Sequence, residues 1–182
     1  MYTIHPIPSR TVTHDAHHML ILCDTSFSMS AVNPATGLAR IEVLRRTLSE
    51  ILPTLRGAQL IRFHGEAYLA NDPSLFAADG GGTEIAGALR MARGHNPCRI
   101  ILITDGQPTD DPDFSLEIAR GMVAQIDAYY CGDHRDTVAI AFLRALVAAN
   151  GRGGRCVVDP LGAGMLEGMH LLLTAPITAL AA

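Results

Sequence analysis

Lysine is missing from this chain: all 14 of its basic residues are arginine. That absence closes several routes at once. A P-loop nucleotide site needs a lysine on the phosphates, a Schiff-base enzyme needs an amine nucleophile, and an S-x-x-K acylation dyad needs its lysine. Tryptophan is absent too, and aromatic residues make up only 5% of the chain, so the core must be aliphatic. No apolar run reaches the length of a membrane-spanning helix, and the opening "MYTIHPIPSRTVTHD" lacks the apolar centre of a secretion signal. The expectation is a cytoplasmic protein with no membrane partner. A net charge of −4 argues against nucleic acid as a partner. The cysteines, Cys23, Cys98, Cys131 and Cys156, form no C-x-x-C pair, which argues against a zinc ribbon. Widely spaced, they read as small buried hydrophobes in a reducing compartment.

What is present is an alternation. Short, nearly continuous apolar runs occur at Met19–Cys23, Ala58–Phe63, Ile100–Thr104, Gln125–Cys131 and Cys156–Val158, the pattern of parallel strands covered on both faces. A short extra edge strand fits around Glu66–Ala70. Helical spacing joins Leu38, Ile41, Leu44, Leu48, Ile51 and Leu55, with Pro53 ending the helix or its last turn. The same spacing links Ile85, Ala88, Leu89 and Ala92, stopped by Gly94; then Phe114, Ile118 and Met122 after Pro112-Asp113. Val138, Phe142, Ala145, Leu146 and Ala149 follow, capped by Asp136 and ended by Asn150-Gly151, and Leu166, Met169, His170 and Leu173 close the series. The 182 residues therefore read as one domain: a three-layer α-β-α, Rossmann-like open sheet, mostly parallel, flanked by helices. About six strands are expected. The core spans residues 19–173, with an irregular arm at 1–15 and a tail at 174–182. Sheets of this kind bind ligands at the C-terminal ends of their strands, where the strand order reverses.

Three polar segments reach that edge. Asp24 ends the first strand, and Ser26 and Ser28 follow at alternate positions in "DTSFS". "GGGTE" brings Thr83, a natural N-cap, to the start of the second helix. "ITDGQPTDD" places Asp105 at the tip of a later strand. Carboxylate and hydroxyl oxygens are hard ligands suited to Mg²⁺, Mn²⁺ or Ca²⁺ rather than to zinc or copper. Neutral hydroxyls leave the ion electrophilic, so a partner's carboxylate is the natural last ligand. The triple glycine allows a close backbone approach.

In their order and separation these elements resemble the metal-ion-dependent adhesion site of the von Willebrand factor A (vWA) family. "DTSFS" is similar to its D-x-S-x-S element, "GGT" to the segment carrying the separate threonine, and "TDG" to the one carrying the second aspartate. "DTSFSM…RIEVLRRTLSEIL" and "ILITDGQPTDD" resemble the first strand, loop and helix and the fourth strand and loop of bacterial members, and the likeness spans Met19 to Leu173. The resemblance implies that Asp24, Ser26, Ser28 and Thr83 bind the metal, and that Asp105 does so directly or through water. Phe27, Gly82, Gly106 and Gln107 would form the rim that a partner meets; Phe27 stands where many members have glycine. It also implies a non-enzymatic module in an intracellular assembly, with a protein supplying Asp or Glu and with AAA+ ATPases among the partners.

Each element has a blander reading. Serines after a strand are common in turns, and Thr83 alone could be a plain cap. Asp110-Asp111 reads as a solvated loop and helix start, and Glu84 as a helix-dipole charge. His14, His17 and His18 read as edge residues, His64 and His134 as structural, and Arg152 and Arg155 as a solvated turn. The alternative function is a Mg²⁺-dependent phosphatase of haloacid-dehalogenase-like type. Such an enzyme would need a second aspartate where Ser26 stands, and a lysine.

Overall fold

The computed structural model describes residues 18–33, 36–159 and 164–174. The expected arm at 1–15, with His14, lies outside the described residues, as do His17 and all of the tail beyond Thr174. The apolar runs become strands β1 (Met19–Asp24), β2 (Gln59–Phe63), β3 (Ala67–Ala70), β4 (Arg99–Thr104), β5 (Gln125–Tyr130) and β6 (Cys156–Val158). The helices are α1 (Arg40–Ile51), α2 (Ile85–Gly94), α3 (Pro112–Arg120), α4 (Thr137–Asn150) and α5 (Met165–Leu173). All six strands join one sheet in the order β3-β2-β1-β4-β5-β6. Every pairing is parallel except that of β3 with β2, so the antiparallel strand is confined to one edge.

Burial explains why the central strands read as nearly continuous apolar runs. Every residue of β4 and β5 is buried. Side chains alternate between two cores. Leu20 and Leu22 of β1 pack with Ile85 and Leu89 of α2, Ile118 of α3 and Leu143 of α4. Ile21 and Cys23 pack on the opposite face with Leu44 and Leu48 of α1 and Met169 of α5. The result is the expected three-layer α-β-α arrangement. Among the described residues no helix is long and apolar enough to cross a membrane.

Local signals set most boundaries. Asp136 accepts the Ala139 N–H at 2.9 Å to start α4, and Gly151 closes it at φ +66°. Pro53 sits in a short 3-10 turn, Leu52–Thr54, that finishes α1. Three readings change. Leu38 and Leu55 lie outside α1. Met122 lies beyond α3, which Gly121 ends, yet remains buried. As expected α2 stops at Gly94, and a left-handed residue, Asn96 at φ +49°, follows just beyond it. Thr83 is not the cap of α2: Glu84 occupies that position and offers no side-chain bond. The first turn is served from elsewhere, because Asp110 Oδ2 accepts the Ala86 N–H at 2.7 Å.

Strand order places the site. From β1 the chain runs through α1 to β2 on one side, and later through α2 to β4 on the other. The order reverses between β1 and β4, which opens a crevice at their C-terminal ends. Asp24 is the last residue of β1, and Asp105 follows the last residue of β4.

Candidate metal centre

Backbone pairing beyond the sheet organises the loop after β1. The Thr25 N–H donates to Phe63 O at 2.7 Å, and its hydroxyl donates to the same oxygen at 3.1 Å. Ser26 bridges to Gly80, and the Phe27 N–H donates to Gly80 O at 2.8 Å, so the serine loop and the glycine loop run side by side. Gly80 is also pressed against His64, where a Cβ would lie 2.1 Å from the histidine Cγ. The glycine loop is tied in turn to the segment after β4. The Thr83 N–H donates to Thr109 Oγ1 at 2.8 Å, and the Thr109 N–H donates back to Thr83 O at 3.1 Å.

These ties gather the five expected residues. Asp24 Oδ1 accepts the Ser26 N–H at 2.8 Å, and Asp24 Oδ2 accepts the Thr104 hydroxyl at 2.5 Å. Ser26 Oγ and Ser28 Oγ are 2.9 Å apart, and Ser28 Oγ donates to Asp105 Oδ1 at 2.6 Å. Thr83 comes close without bonding to them: its Oγ1 and that of Ser28 each lie 3.9 Å from where a Cβ on Gly106 would sit. Asp24, Ser26, Thr83 and Asp105 are buried, while Ser28 stays exposed. The cluster is thus roofed on one side and open on the other.

Two participants lie outside the sequence reading. Thr104, fully buried, holds one Asp24 oxygen. Its signal was a hydroxyl residue at a strand tip directly before an aspartate. Arg40, the first residue of α1, sets its Nη1 2.6 Å from Asp105 Oδ2. Its signal was a cation at a helix N-terminus, where the dipole disfavours positive charge.

The electrostatics follow from burying two carboxylates together. Desolvation, and then the Asp105 charge, push the Asp24 carboxyl up from 3.8 to about 6, against the bonds from Ser26 and Thr104 that hold it down. Each of its oxygens already accepts one donor and keeps a lone pair. Among the described residues no group of three or more His, Cys, Asp or Glu gathers, so the donor set is hydroxyl-rich, with only two carboxylates. All-oxygen ligands with low formal charge fit a hard divalent ion, and such an ion would relieve the repulsion between Asp24 and Asp105.

The rim residues differ from one another. Phe27 is 68% exposed beside the cluster. Gly82 has φ +84°, and Gly106 lies against Ser28 and Thr83. Gln107 is engaged, its Nε2 donating to Asp136 Oδ1 at 3.0 Å, so the site loop is joined to the cap of α4. Asp111 caps α3 by accepting the Asp113 N–H at 3.0 Å, as a helix start should. Asp110 is less solvated than expected; burial raises its pKa against the bond from Ala86. His18 meets Gln59 at 3.2 Å, His64 accepts the Gly65 N–H through Nδ1, and His134 lies 3.5 Å from Asp133. Cys23 and Cys131 are buried, whereas Cys98 and Cys156 are only partly covered.

No protein-family model matches the chain, and no curated protein does either. Solved structures do. An aerotolerance-related membrane protein of Bacteroides fragilis, carrying multiple mutations to serine, aligns with a TM-score of 0.61 at 18% identity, over 85% of this chain and 97% of that one. The BatB protein of Bacteroides thetaiotaomicron gives 0.58 at 18% identity, over 86% and 98%. The manganese-loaded TRAP protein of Plasmodium vivax gives 0.57 at 15% identity, over 83% and 70%. These are vWA-type folds, and at such identities the likeness is one of fold.

Proposed function

We propose that this vWA-type fold is a protein-binding module in which a divalent cation, Mg²⁺ by preference, recruits an acidic side chain of a partner. The single observation that carries the reading is the oxygen cluster itself: at the topological switch point Asp24, Ser26, Ser28 and Asp105 are joined by bonds of 2.6 to 2.9 Å, and the Thr83 hydroxyl lies beside Gly106 next to them. When bound, the ion supplies an electrophilic centre for a partner carboxylate. The chain's own groups do the rest. Asp24 offers charge from a buried position, the two serines and Thr83 offer neutral oxygens, and Asp105 orients the Ser28 hydroxyl.

Charge supports the same reading. Two carboxylates and the Arg40 guanidinium leave one net negative charge at the cluster. A divalent cation turns that into one net positive charge, and one carboxylate from a partner brings it to zero. The solved fold relative bearing manganese, the TRAP protein, is in keeping with a divalent ion on this architecture. Phe27, exposed at the rim, supplies apolar contact area next to that carboxylate.

A phosphoryl-transfer role has less to support it. The position two residues after Asp24 is Ser26, and no lysine exists to clamp a phosphoryl group. An intracellular assembly, with an AAA+ ATPase among its members, belongs to this proposal as the setting in which the module would work.

Immobilised protein tests the reading. In Mg²⁺ it should retain a partner that EDTA releases and that Asp24→Ala never captures. Retention that survives EDTA would contradict metal bridging, and Mg²⁺-dependent turnover of a phosphate ester, lost in Asp24→Asn, would favour the hydrolase.

A further inference from the structure

Arg40 sits where a cation is least welcome. It is the first residue of α1, a helix whose N-cap, Ala39, makes no side-chain cap bond, and the dipole there repels positive charge. Its backbone is nevertheless pinned to the metal loop. The Arg40 N–H donates to Ala31 O at 3.1 Å, one residue past the 3-10 turn Phe27–Ser30 that carries Ser28, and Val32 bridges to Ala39 beside it. The side chain is 20% exposed, and its Nη1 lies 2.6 Å from Asp105 Oδ2, whose own side chain is fully buried. Asp105 is therefore held at both oxygens: by Ser28 at Oδ1 and by Arg40 at Oδ2.

We infer that Arg40 is a built-in counter-ion that competes with the divalent cation for the Asp105 carboxylate, and so weakens metal affinity and keeps Asp105 an outer, positioning residue. The inference rests on the metal-site reading and deepens it. Three physical points carry it. First, a guanidinium–carboxylate bond at this distance in a water-poor site is a strong, charge-assisted one, so a second cation must share or displace it. Second, the Ser28 hydroxyl gives its proton to Asp105 and keeps lone pairs for an ion, so Asp105 shapes the cage while committed to Arg40. Third, Arg40 supplies the charge that leaves the loaded site net positive; without it the loaded site would be neutral and would have less attraction for a partner's carboxylate. Arg40 thus exchanges tight metal binding for a site that is satisfied only when ion and acidic partner are both present. Linkage makes the competition reciprocal: the ion loosens the Arg40–Asp105 pair by the factor by which the pair weakens the ion.

Mn²⁺ titration followed by the electron paramagnetic resonance of the free ion tests this without any activity assay. Arg40→Gln should bind Mn²⁺ more tightly than the wild type, by a factor within the usual range for coupled sites, about 5- to 150-fold. Arg40→Lys, which keeps the charge, should stay close to the wild type. In the Asp105→Asn background, Arg40→Gln should gain little. Because Arg40→Gln leaves the buried Asp105 carboxylate without its guanidinium and could fold poorly, a second measurement uses the wild type: the arginine side-chain ¹⁵N resonance missing from the Arg40→Lys spectrum should shift on adding Mg²⁺. Equal or weaker Mn²⁺ binding by Arg40→Gln, or an Arg40 resonance indifferent to Mg²⁺, overturns the competition while leaving the metal site standing. No Mn²⁺ binding by the wild type overturns the metal reading and this inference with it. A merely structural ion pair would lower the melting temperature on mutation without tightening Mn²⁺ binding.

Discussion

At the scale of the residue, Asp24 is the centre of the account. Its carboxyl is fully buried, close to a second carboxylate, and pushed up to about 6. In the unfolded chain the same group titrates near 3.8. A raised acid contributes stability below its unfolded value and loses it as pH climbs through its folded value. In EDTA, therefore, this group makes the protein more stable at pH 5 than at pH 7.5, with a ceiling of about 3 kcal/mol for the whole shift. Thermal melts from pH 5 to 7.5 should show the decline in the wild type and lose it in Asp24→Asn. A cation that prefers the ionised carboxylate should reverse the trend, so the melting-temperature gain on adding Mg²⁺ should grow as pH rises past about 6. A gain independent of pH would detach Asp24 from the metal.

Residue-scale legibility was uneven. Asp24, Ser26 and Ser28 could be found because they are local: one strand end and two alternate positions in a loop. Arg40 could not be paired with Asp105 from sequence, because the two stand 65 residues apart and no periodicity connects them. Thr104, by contrast, stands next to Asp105 in sequence, and only the pairing of β1 with β4 brings its hydroxyl to the second oxygen of Asp24.

At the scale of the element, helix α2 illustrates what a local rule misses. Thr83 precedes the helix as a cap would, and propensity alone would assign it that role. In the fold, its N–H is taken by Thr109 and the first turn of α2 is capped by Asp110, 24 residues downstream. Asp110 thus anchors the helix that begins just after Thr83, and Asp110→Ala should cost about 0.5–2 kcal/mol, the usual range for losing an N-cap. Calorimetry should register a fall of a few degrees, about 2–4 °C for each kcal/mol in a protein of this size. Because α2 and the glycine loop share an anchor, the same variant should also bind Mn²⁺ more weakly. A variant that lost stability but kept full affinity would show that α2 does not position Thr83. Strand edges, in contrast, were legible to within one or two residues, because strands buried on both faces are apolar along most of their length.

At the scale of the whole molecule, the two ends of the sheet do different work. The C-terminal ends hold the oxygen cluster. At the N-terminal ends, Arg99 at the start of β4 meets Asp127 of β5 at 2.7 Å with both side chains almost entirely buried, and Arg99 also reaches Leu172 O of α5. Asp127 Oδ1 accepts the Arg155 N–H at 2.7 Å, which draws in the segment before β6. Breaking such a pair from one side leaves an uncompensated buried charge, at about 3–5 kcal/mol. Asp127→Asn should therefore lower stability sharply in denaturant titrations yet leave the Mg²⁺-induced rise in melting temperature intact, since the pair lies at the far end of the sheet. Loss of the Mg²⁺ response would mean that the two ends are coupled through β4 and β5. The alternation of apolar runs with helical spacing made the layered architecture readable, because each layer imposes its own period on the chain. The Arg99–Asp127 staple was not readable: a charged residue at a strand end looks solvated until the helix that covers it is in place.

The central claim is that the oxygen cluster at the β1–β4 switch point binds a divalent cation through Asp24. Its most direct test is the melting temperature of the wild type and of Asp24→Ala at pH 7.5, each with EDTA and with excess Mg²⁺. At an ion concentration of 100 times the dissociation constant, linkage gives about 2.7 kcal/mol of added stability, a shift of several degrees. The wild type should show that shift and Asp24→Ala should not; equal shifts in the two proteins, or none in the wild type, would contradict it.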